Sequence, residues 1–375
     1  MESKTEKELI IMKNLNIEGA CTSSAIPQKL TKKQAEALKK IRVTGETMNG
    51  KPVVEMPMRI LNTKSAFAEK LLCTGLTMTA GSACAFSCPF CYVDNLFARQ
   101  PGMLAAKAQL GLTHEQMVIR RQDPVGKLKS ELLTPKGKKP KAICQDEHVI
   151  YSSPTVECAA NMTMARETLE MCMVVLEYTV WEIRLLSKSP LLAWIADQIP
   201  EQYQQRMIYG FSTGVLDDRL GKYETGTPLV SHRLRALHRM QDEGMRTFAM
   251  VCPIPPQRDY ACFAADMAEV LRIDRCEHVW AEVINPRGSS MRRTCQRFEE
   301  LGLQWESDML KKLAGDQELW ESHAQAAFEA IRAVTPGDKL RFLQYVNPKH
   351  LGWWQERECY GAILLGKGKE SADAV

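Results

Sequence analysis

Six short apolar runs of β-prone residues alternate with amphipathic stretches through the middle of the chain. That alternation narrows the fold more than any other feature. The runs are Cys73–Met78, His148–Ser152, Trp181–Leu186, Arg206–Phe211, Thr247–Cys252 and His278–Ile284. Met162–Val175, Leu191–Gln198, Ser231–Glu243 and Tyr260–Ile273 lie among them with apolar residues at helical spacing. Such alternation predicts βαβ units and a parallel sheet. A length of 375 residues suits about two domains, or one large α/β domain with extensions. Apolar residues make up 45% and charged residues 25%, which excludes a disordered, collagenous or coiled-coil chain.

The ends read differently from the middle. Residues 1–30 are polar and read as an arm. Thr31–Arg42 predicts a helix with Thr31 as N-cap and Ala35, Leu38 and Ile41 on one face. Residues 1–65 are therefore expected to be an N-terminal arm and helix, 66–298 the α/β body, and 299–375 a helical extension. The extension holds two helical patterns (301–315 and 318–334), a strand-like LRFLQYV and the pair Trp353–Trp354. The opening MESKTEKELI lacks the apolar core of a secretory signal. The longest apolar run, around Met171–Val175, is far short of a membrane span. A cytoplasmic protein with no membrane contact is the expectation.

Thirteen cysteines are present, an odd number that argues against a disulfide scaffold. Ten are scattered and read as small hydrophobes. Cys84, Cys88 and Cys91 stand together in GSACAFSCPFCYV, spaced C-x3-C-x2-C. Three thiolates this close can share one metal centre. A single zinc ion wants a fourth Cys or His, and the nearest downstream candidates, His114 and Cys144, lie 23 and 53 residues past Cys91. A [4Fe–4S] cluster on three cysteines leaves one iron open to a small molecule. A zinc knuckle, or clustering by chance, is the plainer alternative.

Cys84-x3-Cys88-Pro89-Phe90-Cys91 resembles the CxxxCxΦC signature of radical S-adenosylmethionine enzymes, with Phe90 in the aromatic place. The motif follows the β-prone Leu72–Thr79 and an Ala-Gly-Ser turn. Within that superfamily the chain resembles the spore photoproduct lyase and DNA repair photolyase-like branch. HVIYSSPTVE, VWEIRLLSKSP, RMIYGFSTG, YETGTPLVSHRLRAL and MRTFAMVCPIPP carry the likeness, between Leu72 and Gly288.

The resemblance implies an α/β fold: a partial (βα)6 TIM-type barrel with an N-terminal helical arm and an α-rich C-terminal extension. Its chemistry would sit at the C-terminal strand ends. It implies a [4Fe–4S] cluster on Cys84, Cys88 and Cys91, and S-adenosyl-L-methionine at the open iron. Phe90 would lie near the adenine and Ser153 on the methionyl amino group. Lys188, a point charge on a long stem, would meet the carboxylate. Ser212, with Thr213 as the alternative, would contact the ribose. The Cys252–Pro253 turn would approach the adenine, and Cys252 is a candidate hydrogen donor to a substrate radical. Asn285, with Pro286 and Arg287, would close the pocket. Glu224 matches a glutamate of the branch or sits on a surface loop. The implied reaction cleaves S-adenosylmethionine to a 5′-deoxyadenosyl radical that takes hydrogen from a substrate. A flavodoxin- or ferredoxin-like single-electron reductant would feed it.

Two departures separate the chain from thymine-dimer repair itself. Tyr151 stands where the branch has a hydrogen-donor cysteine, and Cys144 and Cys158, seven residues to either side, do not align with it. Tyr92 is kept as a candidate radical relay, but its counterpart is Phe90, which has no phenol. A different reaction on the same core is expected.

Arg120–Lys141 holds eight Lys or Arg and two Asp or Glu, more net charge than the +4 of the whole chain. Lys127, Lys129, Lys136, Lys138, Lys139 and Lys141 are candidates to lie on a DNA or RNA backbone. A solvated loop is the alternative. Trp353 and Trp354 either stack on a base or pack the chain end. A nucleic-acid substrate is the first expectation. A peptide or small metabolite is the second, and a non-catalytic iron–sulfur or zinc-binding regulator the third.

Overall fold

The structure is a computed structural model. It describes residues 39–93, 110–137, 139–285 and 288–365, with positions 32, 36 and 104 besides. The expected arm, most of the helix from Thr31, Lys138, Pro286, Arg287 and the chain beyond 365 lie outside the described residues.

Asn49 and Gly50 have positive φ, 50° and 75°, as a two-residue hairpin turn of type I′ requires. They join β1 (Arg42–Met48) to β2 (Lys51–Met56), with Met48 opposite Lys51. Next come β3 (Leu61–Asn62) and α1 (Ala66–Lys70), whose N-cap Ser65 accepts from the Ala68 N–H. β4 (Leu76–Met78), β5 (Gly81–Ala83) and β6 (Val118–Arg121) follow. β1, β2, β6 and β5 form a small sheet in that order. This sheet was not part of the sequence expectation.

The basic segment is not a loose loop. It supplies β6 and then α2 (Pro124–Leu132), started by Asp123, whose carboxylate accepts from the Gly126 N–H. Leu128 and Leu132 bury one face of α2 in the core, leaving Lys127 and Lys129 outside.

The large sheet is built from β7 (Val149–Ser152), β8 (Glu182–Ser187), β9 (Met207–Ser212), β10 (Thr247–Ile254) and β11 (His278–Val283). The crossovers carry α3 (Met162–Tyr178), α4 (Leu191–Gln198), α5 (Val230–Asp242) and α6 (Tyr260–Leu271). α7 (Gly288–Glu300), α8 (Gln304–Gly315) and α9 (Gln317–Val334) then lead to β12 (Leu340–Tyr345). α10 (Leu351–Gln355) leads to β13 (Ala362–Leu365).

The order is β3-β4-β7-β8-β9-β10-β11-β12-β13, and every pair but β3–β4 is parallel. The six expected strands are present with ends shifted by one to three residues. The parallel run nevertheless has eight strands, not six. The expected C-terminal helical extension is corrected accordingly: its helices are a crossover, and it adds β12 and β13 to the same sheet.

The sheet is curved. Flat, β4 and β13 would be about 34 Å apart at the usual strand spacing. Yet α1, five residues ahead of β4, touches both far strands: Lys70 Nζ donates to the Leu364 carbonyl at 3.2 Å, and Arg341 donates to the Lys70 carbonyl at 3.4 Å. Tyr151, Ile208, Phe248, Trp280, Leu343 and Leu365 share the inner face. Ile183, Leu185, Val279 and Ala281 point outward to the helices. Gly210 faces inward where a Cβ would strike the Phe248 ring, so the inner layer admits only glycine there. The Trp353–Trp354 pair packs the chain end: Trp354 is buried, stacked 5.9 Å from Phe342 and edge-on to Phe328.

Candidate active site

β5 leads directly into the three-cysteine loop, which is held from two sides. Lys51, the first residue of β2 and buried, donates from Nζ to the carbonyls of Cys84 (3.1 Å) and Phe86 (2.5 Å). From the other side the Ser87 N–H donates to the Thr225 carbonyl at 2.9 Å. Within the loop, Phe86 N–H donates to Cys84 Sγ at 3.2 Å and Cys91 N–H to the Cys88 carbonyl at 3.1 Å.

Burial pushes the Cys84 thiol up to about 12, with the Glu157 charge adding to it. Burial likewise raises Cys88, against the pull of the Lys188 ammonium. Thiols held this way become thiolates only where positive charge meets them, and thiolate is the ligating form. Lys51 and Lys188 are the cations beside them. Among the described residues no group of three or more His, Cys, Asp or Glu is arranged to hold a metal ion. Cys144, one expected fourth ligand, is buried at the other end of the sheet. Its carbonyl there accepts from Val180, just ahead of β8. Cys144 is therefore not the fourth ligand of a single-ion site on these three cysteines.

The strand ends around this loop carry most of the expected residues. Ser153, after β7, has φ 62°, and its N–H donates to Met78 at 2.7 Å while its hydroxyl lies 3.2 Å from that of Ser152. Lys188, after β8, donates to Glu224 at 2.6 Å and lies 5.2 Å over the Phe90 ring. Phe90 in turn packs 5.3 Å from Tyr223.

Glu224 is not on a surface loop. It is 2% exposed and also pairs with the buried Arg233 at 2.5 Å. Burial alone would raise its carboxyl, but Lys188 and Arg233 outweigh burial and hold it below the ordinary range.

Ser212 closes β9, and its hydroxyl donates to the Cys252 carbonyl at 3.3 Å. The Thr213 hydroxyl is turned away to the Val215 carbonyl of its own turn. Asn285, after β11, has a buried Oδ1 with no hydrogen-bond partner among the described residues. Tyr92 is 50% exposed, and its hydroxyl donates to the Pro154 carbonyl.

Cys252 points its thiol at Glu282 Oε2, 3.6 Å away. Burial raises Cys252, and burial lifts the Glu282 carboxyl to about 7. Tyr92 is within electrostatic reach of both. Ser153, Lys188, Ser212, Cys252, Glu282 and Asn285 therefore lie at or just past the C-terminal ends of five neighbouring strands, around one loop of three cysteines.

No protein-family model matches the chain, and no curated protein does. Solved structures similar to the chain include several of spore photoproduct lyase. A variant with bound AdoMet and dinucleoside spore photoproduct has a TM-score of 0.45 at 14% identity, and the lyase complexed with dinucleoside spore photoproduct has 0.44 at 12%. A further variant with dinucleoside spore photoproduct has a TM-score of 0.47 at 11% identity. Each match covers 79% of this chain and 78% of the other.

Sequence reasoning missed three groups that shape this site. Lys51 is separated from Cys84 by 33 positions and meets it only through the small sheet. Glu157 accepts from the Lys188 N–H at 3.0 Å and from the Ser187 hydroxyl, fixing the end of β8. Glu282 had a readable signal: it alternates with Trp280 on β11, so the same inner face carries a carboxyl near the strand end.

The lysine-rich segment lies elsewhere. Lys129, at the C-terminal end of α2, sits 4.9 Å over the Tyr178 ring at the C-terminal end of α3. Lys141 N–H donates to the Leu132 carbonyl at 2.9 Å. These positions border the start of β8, so Lys129 and Lys141 are at the opposite end of the sheet from the cysteine loop.

Proposed function

We propose that the chain is a radical S-adenosylmethionine enzyme on a partial parallel barrel. The observation that carries this reading is the placement of Cys84, Cys88 and Cys91 at the mouth of a curved parallel sheet, encircled by polar strand ends. Cys84, Cys88 and Cys91 would hold a [4Fe–4S] cluster, and Ser153, Lys188, Ser212 and Asn285 would hold S-adenosylmethionine against it. Once bound and reduced, these groups supply abstraction of a hydrogen atom from a substrate.

The chain's own residues supply position. Lys51 and Thr225 fix the cysteine loop. Glu224 anchors the Lys188 ammonium, which has donors left for a carboxylate. Asn285 Oδ1 offers an acceptor without a partner among the described residues, and a buried acceptor of that kind is costly until a donor meets it. Glu282 orients the Cys252 thiol into the same space, where it is placed to return hydrogen to a substrate. The exposed Tyr92 marks the open side through which substrate and a one-electron reductant approach.

A nucleic-acid substrate draws no support from Lys129 and Lys141, which lie at the far end of the sheet. A peptide or small metabolite is the second reading. The test is anaerobic reconstitution with iron and sulfide, then dithionite and S-adenosylmethionine, with 5′-deoxyadenosine quantified beside Cys88→Ala. Product that depends on Cys88 is the expected result. A fully loaded protein that makes none would overturn the proposal and leave an iron–sulfur regulator in its place.

A further inference from the structure

The N-terminal half of the large sheet carries a second group of polar side chains on its inner face. Arg184, third residue of β8, is 3% exposed, and its Nε and Nη1 have no hydrogen-bond partner among the described residues. Its guanidinium stacks over Phe248 and Trp280, 5.2 Å from each ring. Trp280 is fully buried, and its indole N–H is also without a partner. Trp280 and Arg341 are register partners across β11 and β12. His278 precedes Trp280 by two residues on the same face. Arg341 Nε and His278 Nδ1 are likewise unpartnered among the described residues, while Arg341 Nη2 donates to the Lys70 carbonyl. His278 feels both arginines, which together with burial hold it below its ordinary range.

The nearby carboxylates are used elsewhere. Glu182 and Glu277 both pair with Arg246, at 3.0 and 2.5 Å. The acidic group hydrogen-bonded to Arg184 is the Cys73 thiol, which burial pushes up to about 12, so it brings no negative charge at neutral pH. Asp338 and Glu277 act on His278, and Glu277 and Glu182 act on Arg184 at longer range, but burial outweighs them and the Arg184 guanidinium stays below its ordinary range. A guanidinium removed from water with no anion against it is unfavourable. Four side chains from β8, β11 and β12 thus offer unmet polar atoms within one inner layer. They come from different strands, which suits a tetrahedral ligand better than a planar carboxylate; the latter takes a single guanidinium fork.

We propose that Arg184, His278, Trp280 and Arg341 form a binding site for a small tetrahedral oxyanion, separate from the cysteine site. Arg341 and His278 are half-buried and form its entrance, and Arg184 closes the inner side.

The experiment compares thermal unfolding of the full chain and of Arg184→Met. Inorganic phosphate replaces chloride at constant ionic strength, and no cofactor is present. Its outcome is therefore independent of the radical reading. The unmodified chain should gain about 2–5 °C, saturably, by a hundredfold excess of phosphate over Kd. Arg184→Met should gain nothing. In chloride alone it should melt close to the unmodified chain, because the uncompensated charge is gone. Sulfate should act as phosphate does, and acetate should not. Equal gains in both proteins, no gain in either, or a gain with acetate alone would overturn the site. If Arg184→Met does not fold, Arg341→Gln and His278→Phe carry the comparison: each should halve the phosphate gain or more, and undiminished gains overturn the proposal. Lys127→Ala should retain the full gain.

Discussion

The two ends of the large sheet treat buried charge in opposite ways. At the C-terminal end Lys188, Glu224 and Arg233 neutralise one another within hydrogen-bonding distance. At the N-terminal end Arg184 lies between two aromatic rings and hydrogen-bonds to no carboxylate among the described residues. A buried pair is weak evidence of stability in itself, but breaking it exposes the full desolvation cost of whichever charge is left. The first end is therefore a scaffold whose charges are already answered. The second is a place whose charge waits for one.

The largest expected effect follows from breaking the answered end. Glu224→Gln leaves two cations facing each other in a buried place and should cost about 3–5 kcal/mol in urea unfolding. A loss below about 1 kcal/mol would erase the contrast between the ends.

Next is Glu282→Gln, read as a pH profile. The carboxyl sits near 7 in the folded chain against 4.5 in the open one. As pH rises from 4.5 to 7 the unfolded chain releases this proton while the folded chain keeps it, so stability falls over that window. The fall should be on the order of 3 kcal/mol, and the variant should lack it. Parallel profiles for the two proteins would show that Glu282 is solvated, and that the mouth is not the dry place described.

The smallest change in stability is expected for Lys51→Met. Two charge-assisted hydrogen bonds are lost, but the cost of burying the ammonium is returned, leaving a net of about 1 kcal/mol. The sharper readout is iron bound per chain after reconstitution, which should drop by half or more because the Cys84–Phe86 backbone loses its anchor. Unchanged iron content would reduce Lys51 to a packing residue.

What could be read in the sequence divides along physical lines. The six central strands were legible because each is a short apolar run bounded by polar residues, whereas Ser153, Lys188, Ser212 and Asn285 came from the resemblance to the photolyase-like branch and not from those boundaries. The β1–β2 hairpin carries a strong turn signal in Asn49-Gly50, which the arm-and-helix expectation for residues 1–65 does not include. β12 was recognised as a strand but assigned to a separate extension. The crossover from β11 runs through residues 284–339 and three helices, which hides the βαβ relation. Lys51 and Arg184 had no local signal at all. Their roles depend on which distant residues they meet, and nothing in spacing or periodicity encodes that.

Lys70 and Leu364 are 294 positions apart in the chain, yet their contact ties the first parallel strand to the last. Contacts of such long range form late, because so much chain must be ordered before they contribute. Translation at about 5–20 residues per second places the Cys84–Cys91 loop outside the ribosome tens of seconds before β13 is made. In that interval the loop already has Lys51 above it but not the strands that complete its surroundings. On the proposed reading, maturation would be a matter of timing: metal delivery and oxygen would compete for the same three thiols until the seam at Lys70 closes.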